Sequence, residues 1–271
     1  METRYEYRPV RYFMLAFTLT WIPWFFAVYF SAQAPRETFG HVLNFVGLLG
    51  PMIMALYFVY GSRSPALKQD FKDRLINFRR LNPRYLLVTI LLMPVAMGLA
   101  IWISLFFGQS ADQYQFIEDS LKWLPIILLA PTLEELAWRG YAVDSLRSKL
   151  SMLSSSVMFG VLWALWHAPL FFMKGTYHYD LANMGAIYVI NFFVSVIPAG
   201  IIANWLYYKH NRSIIAGILF HFVVNVVAIN FSAAQFTKCI VTVIYIAFAI
   251  LIILVDRKAF SEGKRNFIEE A

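Results

Sequence analysis

Long apolar runs separated by short polar segments set the pattern of this chain. Each run is about 20 residues long, which is what an α-helix needs to cross a hydrocarbon core of about 30 Å. Since lipid offers the backbone no hydrogen-bond partners, each run must be helical. We therefore predict an all-α, polytopic membrane protein, a bundle of about eight transmembrane helices. The predicted spans are 11–30, 42–60, 84–107, 120–138, 152–173, 183–208, 213–231 and 236–256.

Composition supports this interpretation and excludes a soluble domain carrying one anchor. Of the 271 residues, 60% are hydrophobic and 14% are charged, whereas soluble domains are about 45–50% apolar and about 25% charged. No internal repeat or soluble segment interrupts the pattern, so we treat 1–271 as a single integral membrane domain. Cys239 is the one cysteine, which excludes an intrachain disulfide and a cysteine-based zinc site.

The basic residues are distributed unequally between alternate loops. If the N-terminus is cytoplasmic, 19 of the 23 Lys and Arg residues fall on the inner side, which is the positive-inside asymmetry of membrane proteins. We predict that the N- and C-termini are cytoplasmic and that the protein lies in the cell membrane if the source is prokaryotic or archaeal. The net charge of +7 follows from this topology, so we expect no nucleic-acid partner. The outer loop 108–122 is instead acidic, with Asp112, Glu118 and Asp119.

Two other segments allow alternatives. Residues 4–34 resemble a cleavable signal peptide, but their apolar run is near 19 residues, longer than the roughly 7–15 of a signal sequence. The polar segment 61–84 mixes basic residues with Phe71, Leu75, Ile76 and Phe78, which favours an amphipathic helix on the inner surface. The alternative is a plain connecting loop.

Ionisable residues within the apolar runs are the candidate chemistry. An ionisable side chain at membrane depth costs roughly 2.5–3.5 kcal/mol on insertion scales, and such residues are usually functional. On a helix, residues four apart share a face. Glu135 can therefore pair with Arg139, Glu134 is left to face a cavity, and His221 and Asn225 present two polar groups to one point.

The depths of these residues are also similar. Glu134 and His167 are nearly equidistant from a predicted turn near Leu150, and His221 lies at a comparable depth in its own span. The intervening segment 140–150 is too polar for lipid and should project into the cytoplasm. We therefore predict a conical or groove-like active-site cavity near the inner face.

These residue types suit the hydrolysis of an amide by activated water. A buried carboxylate can act as a general base on water, and a histidine can share that water or pass its proton on. His221 and Asn225 can donate hydrogen bonds to an oxyanion. The alternatives are a zinc ion held by the two histidines and a glutamate, and a purely structural set of interhelical hydrogen bonds. We expect the reaction to need no cofactor, and a catalytic zinc ion is the alternative that stays open.

The motif set resembles a known family. The motifs are Glu134-Glu135-x-x-x-Arg139, Trp163-x-x-x-His167 and His221-x-x-x-Asn225. Together they are similar to those of the CAAX protease and bacteriocin-processing (CPBP) membrane proteases, and the compact layout is similar to that of archaeal relatives of the Ras-converting CAAX endopeptidase. Trp163 stands where Phe is frequent.

The resemblance implies a function. Glu134 and His167 would activate water, His221 and Asn225 would form the oxyanion hole, and Glu135 and Arg139 would shape the site. The substrate would be the C-terminus of a prenylated CAAX protein in the lipid bilayer, which would lose its last three residues. A non-proteolytic binding or immunity protein, a metal-dependent member of the family and a proton-relaying transporter are the alternatives.

Overall fold

The structure, a computed structural model, describes residues 5–115 and 122–268, and these residues form a bundle of α-helices. The helices are α1 (Pro9–Ser31), α2 (Glu37–Leu48), α3 (Gly50–Tyr60), α4 (Pro65–Ile76), α5 (Pro83–Leu105), α6 (Leu124–Ala137), α7 (Val143–Arg147), α8 (Met152–Trp166), α9 (Tyr177–Met184), α10 (Ala186–Lys209), α11 (Ile214–Asn230), α12 (Gln235–Val255) and α13 (Arg257–Ser261). A π-helical turn, Trp138–Ala142, joins α6 to α7.

Short sequence signals set where several helices begin. Proline is the first residue of α1, α4 and α5, where its fixed φ suits a helix and its missing N–H costs nothing. Ser64, Ser151 and Ser213 precede α4, α8 and α11, and each side chain accepts a hydrogen bond from a backbone N–H three residues on. These caps satisfy donors that a helix start otherwise leaves unpaired.

Within the described residues, six helical stretches are long and apolar enough to cross a membrane, which confirms the polytopic, all-α prediction. They are 9–31, 37–60, 83–105, 152–172, 186–209 and 235–255. The other two predicted spans are shorter. The 17 residues of α11 rise only about 25 Å at about 1.5 Å per residue, and α6 has 14 residues before the π-helical turn. The count of eight was therefore approximate, and the two shorter helices are those that carry Glu134 and His221.

Close packing between α8 and α10 fixes the helix that ends beside His167. A Cβ atom added to Gly160 would lie 2.8 Å from the Ile197 Cα atom, and one added to Gly200 would lie 3.0 Å from the Gly160 Cα atom. Small residues allow helix backbones in a membrane to approach this closely. The two glycines therefore hold α8 directly against α10.

The polar segments at one end of the bundle differ partly from expectation. The helix predicted within 61–84 is present as α4, and it buries Leu67, Phe71 and Arg74. The segment 140–150, which is predicted to project into the cytoplasm, is not a water-exposed hairpin, because Asp144 and Arg147 are both buried. These charges have partners inside the protein, so they do not need water. Three residues of the predicted loops, Arg4, Glu118 and Asp119, lie outside the described residues.

Candidate active site

The two adjacent glutamates at the end of α6 point to different neighbours, as their helical spacing predicts. The Glu134 Oε2 atom accepts hydrogen bonds from the indole N–H groups of Trp138 at 3.2 Å and Trp163 at 3.0 Å. Oε1 makes no hydrogen bond to another described residue, so this oxygen can bind water or substrate. Glu134 is 8% exposed, which leaves a narrow opening to it.

Glu135 is the structural partner of Arg139, as the sequence predicts. Arg139 Nη1 lies 2.8 Å from both carboxylate oxygens of Glu135, and Arg139 Nη2 donates to Asn204 Oδ1 at 3.1 Å. A Cβ atom added to Gly217 of α11 would lie 2.7 Å from Glu135 Oε2. The absence of a side chain at Gly217 therefore lets α11 approach this buried ion pair.

His167 lies at the C-terminal end of α8 with its ring orientation fixed. Its Nδ1 atom lies 2.7 Å from the Trp163 carbonyl oxygen. A carbonyl only accepts, so Nδ1 carries the proton, and a neutral ring then leaves the Nε2 lone pair available. The rings of Trp166, His178 and Phe192 pack around it with centroids 4.8–5.4 Å away. His167 is therefore oriented as a hydrogen-bond acceptor or base at Nε2.

His221 and Asn225 occupy successive turns of α11. His221 is 8% exposed, and its Nδ1 atom lies 3.1 Å from Glu135 Oε1. Asn225 is partly buried, and its side-chain amide makes no hydrogen bond within the described part of the chain. The glutamate carboxylate holds the His221 ring in place, whereas the Asn225 amide is free to bind a ligand.

Trp163 lies between the side chains of the three motifs. The sequence identifies it only as the aromatic residue of the second motif and assigns it no role. Its ring centroid is 6.1 Å from that of His167 and 5.3 Å from that of His221, while its N–H binds Glu134. One indole thus joins Glu134, His167 and His221, and brings all three spans to one place. A tryptophan in a membrane-spanning run needs a hydrogen-bond acceptor for its indole N–H. That need was the signal in the sequence for this role.

A buried ionic cluster supports the π-helical turn that follows the glutamates, and sequence reasoning missed it. Arg74 of α4 donates to the carbonyl oxygens of Arg139 at 2.6 Å and Gly140 at 3.0 Å. Such π-helical turns are rare in proteins overall, and those that occur are often found at functional sites. Arg74 thus holds the widened turn through its backbone.

The same cluster joins α4, α7 and the connection after α10 through ion pairs, and α10 through a tyrosine hydroxyl. Arg212 pairs with Asp70 at 2.8 Å and Asp144 at 2.6 Å. Arg74 pairs with Asp70 at 2.7 Å, and the Tyr207 hydroxyl donates to Asp144 at 2.9 Å. The available sequence signal was the four-residue spacing of Asp70 and Arg74 on one helix face.

These observations define a class of protein. Glutamate, histidine and asparagine side chains from three helices are enclosed in a bundle of membrane-spanning helices, so this is an integral membrane protein with a buried polar site. Comparison with known proteins gives its family. The family model described as type II CAAX prenyl endopeptidase Rce1-like matches residues 116–227.

A curated relative extends the match to almost the whole chain. CAAX prenyl protease 2 of Methanococcus maripaludis is 39% identical over 268 residues, covering 97% of this chain and 99% of the relative. The chain therefore belongs to the Rce1-like CAAX prenyl endopeptidases, a family of membrane proteases. This confirms the resemblance found in the three motifs.

Proposed function

We propose that this protein is an intramembrane endopeptidase that cleaves prenylated CAAX C-termini and releases the last three residues through glutamate-activated water. The observation that carries the proposal is the state of Glu134. One carboxylate oxygen is held by two indole N–H groups, and the other has no partner among the described residues. A positioned carboxylate with one free oxygen is suited to take a proton from water.

His167 is proposed to act on the same water and then on the leaving group. Its Nδ1 atom is fixed on the Trp163 carbonyl, so Nε2 is the reactive nitrogen. As water attacks the scissile carbonyl, Glu134 takes one of its protons and passes it to the Nε2 atom of His167. His167 then donates this proton to the departing amide nitrogen as the C–N bond breaks, so that Glu134 and His167 both return to their starting states.

His221 and Asn225 are proposed to stabilise the oxyanion. The free Asn225 amide can donate to the developing negative oxygen. His221 can donate from Nε2 when its ring is doubly protonated, and Glu135 at 3.1 Å balances that positive charge. Donors fixed before the reaction stabilise the transition state without reorganising.

The bilayer provides the reason for a lipidated substrate. A prenyl chain partitions into the hydrocarbon, so it delivers the attached peptide to a site enclosed by membrane helices. The name of the relative, CAAX prenyl protease 2, supports the same substrate class.

A peptide assay tests this proposal. Purified protein is incubated with a farnesylated CAAX peptide and with the same peptide lacking the farnesyl group, each with and without a strong zinc chelator. We expect the farnesylated peptide alone to lose the mass of its last three residues, and the chelator to have no effect. No cleavage of either peptide would reject the function. Loss of activity with chelator that added zinc restores would establish the metal-dependent alternative.

The orientation in the membrane is part of the proposal. The 19 inner-side basic residues support cytoplasmic termini, with α4 on the cytoplasmic side. A Cys239→Ala variant carrying Lys68→Cys should react with a membrane-impermeant thiol reagent only after the membrane is opened. Labelling of intact cells or sealed right-side-out vesicles would reverse the assignment.

A further inference from the structure

Two adjoining cavities at the start of α1 lie away from the candidate active site. The first has a volume of about 420 Å³ and lies between the beginning of α1 and the 61–64 connection that follows α3. The second has a volume of about 600 Å³ and lies along the first turns of α1. Arg8 and Arg11 line both cavities, so the two spaces share a wall.

The first cavity is a concentration of unpaired positive charge. Arg8, Arg11 and Arg63 line it and are exposed, and none of the three forms a salt bridge within 5–115 and 122–268. Glu6 also lines it, but its carboxylate lies 2.6 Å from Lys149 Nζ. The three arginines come from two separate segments and line one concave surface. A loop that only satisfied membrane topology would need basic residues but no such convergence.

The second cavity is largely apolar and lies along the first turns of α1. Beyond the shared arginines it is lined by Tyr7, Pro9, Val10, Met14, Leu15 and Lys149. Val10 is 72% exposed and Met14 is 67% exposed, although both belong to a helix that crosses the membrane. An arginine-lined chamber therefore opens beside an apolar groove at the edge of the hydrocarbon.

We propose that these two cavities bind one anionic phospholipid of the inner leaflet. The headgroup phosphate lies among Arg8, Arg11 and Arg63, and one hydrocarbon chain follows Val10 and Met14 along α1. Guanidinium groups match phosphate oxygens with paired, charge-assisted hydrogen bonds. A free phosphate would account for the arginines but would leave the apolar groove unused, which is why the occupant is a lipid. The site is independent of the proposed proteolysis and depends only on the membrane orientation.

Matched charge variants test the proposal. The site variant replaces Arg8, Arg11 and Arg63 by Gln, and the control replaces Lys72, Arg79 and Arg84 by Gln. The control residues are exposed, lie on the same predicted side, and remove the same charge. Binding of fluorescent phosphatidylglycerol to purified protein in a zwitterionic detergent is measured, with fluorescent phosphatidylcholine as the neutral probe. Unfolding midpoints measured without lipid verify that both variants fold.

We expect the site variant to lose phosphatidylglycerol affinity by at least about tenfold, because it removes the guanidinium groups that would make charge-assisted hydrogen bonds with the bound phosphate. The control variant should bind as the wild type does, and phosphatidylcholine should bind weakly to all three proteins. Equal losses in both variants, or equal binding of the two lipids, would overturn the proposal. If the triple site variant does not fold, the single variants Arg63→Gln and Arg79→Gln carry the same comparison.

A second arm separates lipid from free phosphate. Glycerol 3-phosphate should compete poorly with fluorescent phosphatidylglycerol on the wild type. A Val10→Gln/Met14→Gln variant should lose lipid affinity while its arginines remain. Full competition by glycerol 3-phosphate at concentrations near those of the lipid, or unchanged lipid binding by the groove variant, would show that no lipid chain is bound.

Discussion

Two buried polar regions lie on either side of the π-helical turn, and they differ in how completely their groups are paired. In the ionic cluster, Arg212 donates hydrogen bonds to the carboxylates of Asp70 and Asp144 at 2.6–2.9 Å. At the candidate site, one oxygen of Glu134 and the amide of Asn225 have no partner in the part of the chain that the structure describes. Buried polar groups are normally satisfied, and an exception calls for an explanation. We therefore infer that the fully paired ionic cluster stabilises the fold and that the incompletely paired candidate site carries out the reaction.

The comparison predicts the largest effect for His167→Gln. Loss of a general acid–base group lowers turnover by roughly 10²–10⁴-fold, whereas the fold should tolerate the change. Cleavage of a farnesylated peptide and the unfolding midpoint measure the two effects separately. His178→Gln is the control, because His178 stacks on His167 with centroids 5.4 Å apart and has no ring contact or hydrogen bond with another motif residue in the described part of the chain. An equal loss in both variants would show that His167 acts through packing.

Glu135→Ala should act on stability. Arg139 would be left buried without its carboxylate, and breaking such a pair costs roughly 3–5 kcal/mol. Denaturant unfolding in detergent measures this loss. Glu6→Ala, which removes the exposed partner of Lys149, should leave stability unchanged, because surface ion pairs contribute little. A Glu135→Ala protein as stable as the wild type would remove the distinction between the two glutamates.

Asn225→Ala should affect turnover with little change in substrate affinity. Loss of one oxyanion donor lowers turnover by about 10²–10³-fold. Asn225→Asp should be equally poor, because a carboxylate repels the developing negative charge. Steady-state kinetics separate the two parameters. A raised KM with normal kcat would assign Asn225 to substrate binding instead.

The smallest effect expected is a pH dependence from the ionic cluster. Burial alone would raise the pKa of Asp70, but Arg74 and Arg212 outweigh it and hold the pKa below its ordinary value of 3.8. Since the folded-state pKa is depressed, the stabilisation is complete above the ordinary value and is lost as the pH falls below it. Unfolding midpoints between neutral pH and pH 3 should show this loss, and Asp70→Asn should flatten it. An unchanged profile in the variant would show that another group is responsible.

The sequence alone predicted the helical membrane fold and the split between the two glutamates, because span length and four-residue spacing follow directly from helix geometry. It did not predict the burial of Asp144 and Arg147. Their partners come from distant segments, such as Arg212 and Gly263, and polarity alone favours a water-exposed hairpin. The link through Trp163 was also missed, since an indole in an apolar run looks like ordinary packing. The groove-like cavity at the site stays a prediction.

The most direct test of the account is the hydrolysis rate of Glu134→Gln under single-turnover conditions with a farnesylated CAAX peptide. The carboxamide oxygen can still accept from Trp138 and Trp163, so the substitution removes the base and keeps the packing. We predict a rate about 10²–10⁴-fold lower, with an unfolding midpoint equal to that of the wild type. A rate close to that of the wild type would contradict the central claim that Glu134 activates the attacking water.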